Sequence, residues 1–164
     1  MTRKIILGTV VTALIGTAAW WGWRWSTTPV LPEIPLDRAE KPLVDAVNEA
    51  RDEVRRQPRS AETWGRLAMV LGANGFEPQA LDCYAIAERL DPHNPRWPYF
   101  HGIQLMSGSP QRGIPLLRGA LGLADQSGDR DVMLFRLALA LLEDGQLREA
   151  EQHLQALAEL ESRS

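Results

Sequence analysis

The sequence predicts an all-α protein, in which paired helices stack into a solenoid behind a single N-terminal transmembrane helix. Three observations support this prediction. From about residue 61 onward, apolar and small residues recur with helical spacing and a period of about 34 residues. Residues 5–23 contain no charged side chain, and three prolines follow at intervals of three. The predicted divisions are a transmembrane signal-anchor helix at 1–25, a Pro-rich linker at 26–41, a capping helix at 42–58 and a repeat domain at 59–164.

Length and composition limit the classes of protein. The 164 residues suffice for one modest domain and an appendage, and not for two enzyme domains. Hydrophobic residues make up 45% and charged residues 24%, a globular composition that excludes wholesale disorder. The single cysteine, Cys83, excludes a disulfide framework, a CxxC zinc site and a CxxCH haem attachment. A formal net charge of −3 provides no basic excess for binding nucleic acid.

The run at residues 5–23 has the features of a membrane-spanning helix. Its 19 uncharged residues approach the roughly 20 that are needed to cross the hydrocarbon core. Arg3 and Lys4, with the amino terminus, outweigh Arg24 on the other side, so the N-terminus should stay in the cytoplasm. The expected location is therefore the inner (cytoplasmic) membrane, crossed once, with the repeat domain in the periplasm. The indole rings expected at the far interface are those of Trp20, Trp21, Trp23 and Trp25.

Alternatives to an anchor remain open for this run. Small residues at 17–19 form a tolerable cleavage site, so the segment could be a cleaved signal peptide, although the length of the run and the Trp cluster favour the anchor. A buried core helix would leave the charge asymmetry without a role. Small residues four apart share one helix face and would let another helix approach closely, but membrane helices also tolerate them without such pairing. These residues are Gly8, Thr12 and Gly16.

The linker is rich in proline. Pro29, Pro32 and Pro35 lie within residues 26–36. Repeated proline favours extended polyproline II structure, and these eleven residues would reach roughly 35 Å. The segment is therefore predicted to be a semi-rigid spacer that holds the domain away from the bilayer. A docking motif for an aromatic groove is the alternative.

The clearest repeat lies at residues 61–94. A first helix should end at a glycine, and a second helix, with a proline in its first turn, should end at an Asp-Pro pair. The residues that carry this pattern are Trp64, Leu67, Ala68, Leu71, Gly75, Pro78, Ala80, Tyr84, Ala87, Asp91 and Pro92. Their order resembles the 34-residue tetratricopeptide repeat at nearly every signature position. The resemblance implies a stack of helix pairs whose function is to bind other proteins.

Two further units extend the resemblance. Residues 131–164 repeat the spacing, with Leu134 in place of the Trp and a turn at Gly145. Residues 95–130 are less regular: Gly102 takes the small position and the turn between the helices is one residue short. Pro115 lies inside the second helix of that unit, where it should produce a kink.

A partial unit precedes the first repeat. Residues 42–56 alternate apolar and charged positions with helical spacing, and they predict a lone helix. Repeat stacks need such caps, because each unit buries its apolar face only against its neighbours. The resemblance thus covers about residues 42–164.

The sequence carries no pattern of catalytic residues. His93, His101 and His153 fall in different elements, without the HExxH or similar spacing of a metal site. Cys83 has no histidine placed to activate it. Glycine motifs for phosphate binding and the GxSxG nucleophile motif do not occur. The prediction is a protein that is not an enzyme and uses no cofactor, metal or small-molecule substrate.

The resemblance implies that the first helices of successive repeats line a concave surface that binds a partner. Their apolar side chains suit such a surface, because exposed apolar patches tend to mark partner sites. The alternative is that these residues pack between helices. On the last helix, an apolar stripe that includes Leu154 should in part face a partner or a second copy. The predicted partner-binding residues are Met69, Tyr99, Ile103, Met106, Phe135, Arg136, Leu139 and Leu142, beside Gly65 and Gly72.

The predicted function is that of a membrane-anchored scaffold, either an assembly factor or an accessory subunit of a membrane protein complex. Residues 26–164 carry 15 basic and 21 acidic side chains, and the resulting charge of −6 disfavours attraction to anionic lipid headgroups. The partner should therefore be a membrane or periplasmic protein. The alternative that the resemblance implies is a periplasmic chaperone that holds client polypeptides, as membrane-attached repeat domains do in cytochrome c maturation.

Overall fold

The structure, a computed structural model, describes residues 29–37, 39–124 and 129–161. Every regular element in these ranges is an α-helix, which confirms the prediction of an all-α protein for this part of the chain. The helices are α1 (Lys41–Arg56), α2 (Ala61–Ala73), α3 (Glu77–Leu90), α4 (Arg96–Met106), α5 (Pro110–Leu123), α6 (Asp129–Glu143) and α7 (Leu147–Glu161).

The helices form three consecutive pairs. Helix α2 packs on α3, α4 on α5 and α6 on α7. Each pair meets the next through the second helix of one and the first helix of the other, α3 on α4 and α5 on α6, while α1 packs on α2. This is the nearest-neighbour packing of a helical repeat array.

Glycine makes the first and third turns between paired helices. Gly75 and Gly145 have φ of 81° and 77°, a left-handed conformation that residues with a Cβ rarely adopt. In each turn the next amide donates back to a carbonyl five residues earlier: Phe76 to Leu71 at 3.0 Å, and Gln146 to Leu141 at 2.8 Å. These are Schellman C-caps, which satisfy carbonyls at the end of the first helix.

The middle turn is as long as the other two, in contrast to the shorter turn expected from the sequence: the turns are residues 74–76, 107–109 and 144–146. The missing residue comes from helix α4. Counted from the start of its unit, α4 ends one residue earlier than α2 and α6 do. The turn of residues 107–109 closes by hydrogen bonds from Gly108 and Ser109 to the Leu105 carbonyl, at 3.2 and 2.7 Å. Pro115 lies inside α5, exposed, and the helix continues to Leu123.

Two glycines let helices α4 and α5 approach each other closely. A Cβ on Gly113 of α5 would lie 2.8 Å from the Gly102 carbonyl oxygen of α4, and one on Gly102 would lie 3.0 Å from the Gly113 oxygen. A side chain at either position would push the two backbones apart. Gly102 therefore has the small-residue role that the sequence assigned to it.

The buried side chains form two clusters. The first includes Trp64, Tyr84 and Trp97, and the second includes Tyr99 and Leu137. Helix α4 contributes to both, since Trp97 belongs to one cluster and Tyr99 to the other. The Trp64 indole is fully buried and donates to the Pro58 carbonyl at 2.9 Å, so its one polar atom is satisfied.

The second half of the linker differs from the free spacer expected from the sequence. Leu31, Ile34 and Leu36 are partly buried and pack against the first cluster. Gln79 of α3 donates to the Glu33 carbonyl at 3.3 Å. Apolar side chains between the prolines remove surface from water by lying on the domain, so residues 31–36 are part of the domain surface and do not form a spacer that holds it away.

The predicted membrane helix lies outside the described residues, together with Gly8, Thr12, Gly16, Trp20, Trp21, Trp23 and Trp25. Among the helices of residues 41–161 that the structure describes, none has both the length and the apolarity of a membrane span.

Candidate functional site

The predicted partner-binding residues occupy equivalent positions of the three first helices, α2, α4 and α6. Counted from residues 61, 95 and 131, the fifth position holds Gly65, Tyr99 and Phe135. The ninth position holds Met69, Ile103 and Leu139, and the twelfth holds Gly72, Met106 and Leu142. Because the units share one packing pattern, differences between equivalent positions show which parts of this surface are covered.

At the first junction between units, the fifth and twelfth positions are covered by α4. A Cβ on Gly65 would overlap the ring of Trp97, and one on Gly72 would overlap the side-chain amide of Gln104. Trp97 itself is only 1% exposed. The two glycines therefore provide room for the next helix; Gly65 is buried and Gly72 is partly buried.

The second junction is closed in the same way. Tyr99 is 9% exposed and is part of the second cluster, so it lies in the core and not on an open groove. Met133 and Ala140 of α6 occupy the positions of Trp97 and Gln104, and both are buried in that cluster. Packing between units thus accounts for Tyr99, the alternative that the sequence had left open.

At the third unit the same positions are uncovered. Phe135 is 46% exposed and Leu142 is 41% exposed. On α7, Leu154 is 36% exposed, whereas its equivalents Tyr84 and Leu117 are 3% and 2% exposed. We call Phe135, Leu142 and Leu154 the terminal face, because they are exposed only where no further unit follows in the described chain.

The other predicted residues lie around this face or along the inner surface. Arg136 is exposed next to Phe135, and Leu139 is partly buried. Met69 packs partly buried against the first cluster, while Ile103 and Met106 do so against the second. The three ninth-position residues thus form a sparse apolar line, one residue per unit.

A partly exposed ion pair connects α7 to α5. Arg118 donates through Nε and Nη2 to the two carboxylate oxygens of Glu149, both at 2.8 Å, and through Nη2 to Gln146 Oε1 at 3.0 Å. These hydrogen bonds, together with the Arg118 charge, lower the pKa of the Glu149 carboxyl. The pair links α5 to the helix that presents Leu154.

The titratable side chains with nucleophilic potential are held in unreactive forms. Cys83 is fully buried, and burial, with a smaller contribution from the Asp82 charge, raises the pKa of its thiol to about 12. Burial likewise raises the pKa of Tyr84 to about 12. A protonated thiol is a poor nucleophile, so these groups give no sign of catalysis.

The histidines do not converge. His101 Nδ1 lies 2.6 Å from Glu88 Oε1, and its ring stacks on Tyr84 with centroids 6.1 Å apart. His153 Nε2 lies 3.7 Å from Glu149 Oε1, and His93 is exposed. Within the described residues, no group of three or more His, Cys, Asp and Glu side chains could hold a metal ion.

The sequence interpretation missed Trp97. Its position, third in its unit, is not a signature position of the repeat, and its partner is a glycine rather than a complementary side chain. The available signal was a large aromatic residue at the third position of its unit, Trp97, together with a glycine at the fifth position of the preceding unit, Gly65.

The fold is similar to solved structures of MamA, an all-helical protein that contains tetratricopeptide repeats. The structure of MamA from Desulfovibrio magneticus RS-1, from its residue 41 to its end, aligns with a TM-score of 0.66 at 18% identity, covering 75% of this chain and 68% of that one. The structure described as MamA MSR-1 C2 gives 0.61 at 17% identity, with 75% and 70% covered. A third MamA crystal structure gives 0.60 at 16%, with 77% and 74% covered.

These likenesses support a tetratricopeptide-like fold. At identities below 20% they show the fold alone. No family model and no curated protein sequence matches this chain.

Proposed function

We propose that this protein is a non-enzymatic, membrane-anchored scaffold, which binds another protein outside the cytoplasm as an assembly factor or accessory subunit of a membrane protein complex. The observation that supports binding most directly is the terminal face. Phe135, Leu142 and Leu154 are large apolar side chains, exposed at positions that are filled or covered in the inner units. Apolar surface of this kind is costly in water and is typical of partner sites.

The proposed location depends on the sequence of residues 1–25. A run of 19 uncharged residues, with two basic residues before it, three Trp residues at its end and a fourth two residues beyond it, supports a single span with the domain on the exported side. Helix pairing through Gly8, Thr12 and Gly16 would place the anchor beside a membrane partner.

Recovery of a crosslinked partner from native membranes tests the binding function. Phe135→Ala with Leu142→Ala removes most of the terminal face, and it should reduce partner recovery because both exposed apolar side chains belong to that face. Leu123→Ala is the matched control, since Leu123 is 37% exposed but lines a separate small groove with Pro115 and Leu116. Equal recovery with the double variant and with the control would exclude the terminal face.

The location is tested separately. A reporter that is active only in the periplasm, fused after residue 161, should be active, and alkaline extraction should leave the protein in the membrane pellet. Activity of a cytoplasmic reporter at the same position would contradict the proposed orientation, and extraction into the supernatant would contradict the anchor.

A periplasmic chaperone that holds client polypeptides is the second candidate. The observation that favours it is the inner line of Met69, Ile103 and Leu139, which are partly buried apolar side chains and include a flexible methionine. The two functions differ in stoichiometry: a subunit co-purifies with its complex in fixed ratio, whereas a chaperone releases its client.

A further inference from the structure

The terminal face has two covered counterparts within the same chain. At the first junction, α4 places Trp97, His101 and Gln104 against the preceding unit: Trp97 over Gly65, His101 against Tyr84 and Gln104 over Gly72. At the second junction, α6 has Met133, Leu137 and Ala140 at the same places, all buried. At both junctions the preceding unit is covered by a helix, and the side chains that cover it are at positions i, i+4 and i+7 of that helix.

From this equivalence we infer that the terminal face is the docking site for an amphipathic α-helix of a partner protein, seated in the register that α4 and α6 occupy at the inner junctions. The inference rests on the proposed scaffold function and names the kind of partner. Residue i of the docked helix would lie over Phe135, i+4 over Leu154 and i+7 over Leu142. The side chains at these places should be apolar and of moderate size, because the face already carries bulky residues.

The size of the docked side chains follows from comparing the junctions. Gly65 and Gly72 leave room, and α4 fills it with Trp97 and Gln104. At the second junction Tyr99 and Met106 are large, and α6 has Met133 and Ala140 at the positions that Trp97 and Gln104 have in α4. Phe135 and Leu142 resemble the second case, so a helix with the character of α6 fits better than one with the character of α4.

A second copy of the chain is a poorer occupant. Its helices with this i, i+4, i+7 pattern, α4 and α6, already use that face inside their own stack. At the opposite end of the stack, the exposed side chains of α1 are mostly charged or polar, among them Asp45, Glu49, Asp52 and Arg55. A head-to-tail contact would therefore place charges on the apolar terminal face, which is unfavourable.

A helical peptide with the sequence of α6, residues 129–143, is the probe for this site. Short isolated helices are marginal in water, so the peptide is stapled through the positions of Val132 and Arg136, which are exposed in the chain. The control peptide carries Met133→Asp and Ala140→Asp, which charge the docking face. Binding to the full chain in detergent is measured by fluorescence anisotropy.

The inference predicts saturable binding of the α6 peptide, with binding to a Phe135→Ser, Leu142→Ser chain weakened at least about tenfold. The Leu123→Ser chain should bind as the unmodified chain does. The inference is overturned by absence of saturable binding up to about 1 mM, by equal binding to the double variant, or by equal binding of the control peptide. It is also overturned if sedimentation shows a dimer that Phe135→Ser with Leu142→Ser dissociates, because the occupant is then a second copy.

The outcome is separable from that of the proposed function. If the crosslinked partner still depends on Phe135 and Leu142 while the peptide fails to bind, the scaffold function stands and the helical mode of docking is wrong. If the peptide binds while no partner is recovered from membranes, the terminal face can bind a helix but the scaffold function is not supported.

Discussion

The ring of Trp97 occupies the space into which a side chain at Gly65 would project. Trp97 belongs to the second unit and Gly65 to the first, so one aromatic side chain joins two units across the surface that sequence analysis assigned to a partner. The position of Gly65 is occupied by Tyr99 in the second unit, where the side chain is buried, and by Phe135 in the third unit, where it is exposed. The fifth position of the unit is therefore used for packing between units in the first and second units, and its side chain is exposed in the third.

Gly65→Ala should destabilise the protein by about 2 kcal/mol, because a Cβ there overlaps the buried Trp97 ring and forces the two units apart. Gly119→Ala is the matched control: Gly119 lies inside α5 and a Cβ there meets nothing within 4 Å. That change should stabilise by roughly 0.5–1 kcal/mol through helix propensity. Urea denaturation of the full chain, followed by circular dichroism, measures both, and equal stability of the two variants would contradict the packing described.

Cys83 should react slowly with thiol reagents in the native protein. Its side chain is fully buried and its pKa is raised to about 12, so both access and the thiolate fraction are low. At pH 8 the reaction with a chromogenic disulfide should be at least about a hundredfold slower than in guanidinium. Ala85→Cys in a Cys83→Ser chain places a thiol at an exposed position of the same helix and should react fast. Rapid native labelling of Cys83 would reopen the question of a reactive thiol.

Glu149→Gln should reduce stability in a pH-dependent way. Hydrogen bonds from Arg118 lower the pKa of Glu149 in the folded state, so the folded protein binds fewer protons than the unfolded chain in acid. The stabilisation is therefore present above the unfolded value of about 4.3 and is lost as the pH falls through the lower folded value.

Because the pair is about one-third exposed, the expected loss at pH 7 is only about 0.5–1 kcal/mol. The difference from the unmodified chain should shrink below about pH 4. Glu151→Gln removes a carboxylate of the same helix that instead accepts a hydrogen bond from Gln155 at 3.4 Å, and it should show little of this effect. A pH-independent difference for Glu149→Gln would mean that the ion pair does not stabilise the fold.

The arrangement of helix pairs was predictable from the sequence because each residue that determines it has a single structural role. Gly75 and Gly145 end helices in a left-handed conformation, and Trp64 and Tyr84 fill the first core, so their types and spacing report directly on structure. The capping helix was expected at 42–58 and lies at Lys41–Arg56.

The surface was less predictable because its positions have two uses. The fifth position of a first helix can face a partner or receive the next helix, and an apolar residue suits both. Tyr99 and Phe135 are both aromatic residues at this position; Tyr99 is buried in the cluster that the following unit completes, and Phe135 is exposed in the described part of the chain. For the same reason the docking of Leu31, Ile34 and Leu36 on the first cluster could not be distinguished from a free proline-rich spacer by pattern alone.

Site-specific photocrosslinking at the terminal face is the most direct test of partner binding. A photoreactive phenylalanine analogue replaces Phe135 in one chain and exposed Leu123 in another, and both are irradiated in intact cells. We expect one discrete adduct with a protein from position 135 and none from position 123, because among the described residues no helix covers the terminal face, whereas a helix covers the equivalent positions at the inner junctions. No adduct from position 135, or the same adducts from both positions, would contradict the assignment of this face as the partner site.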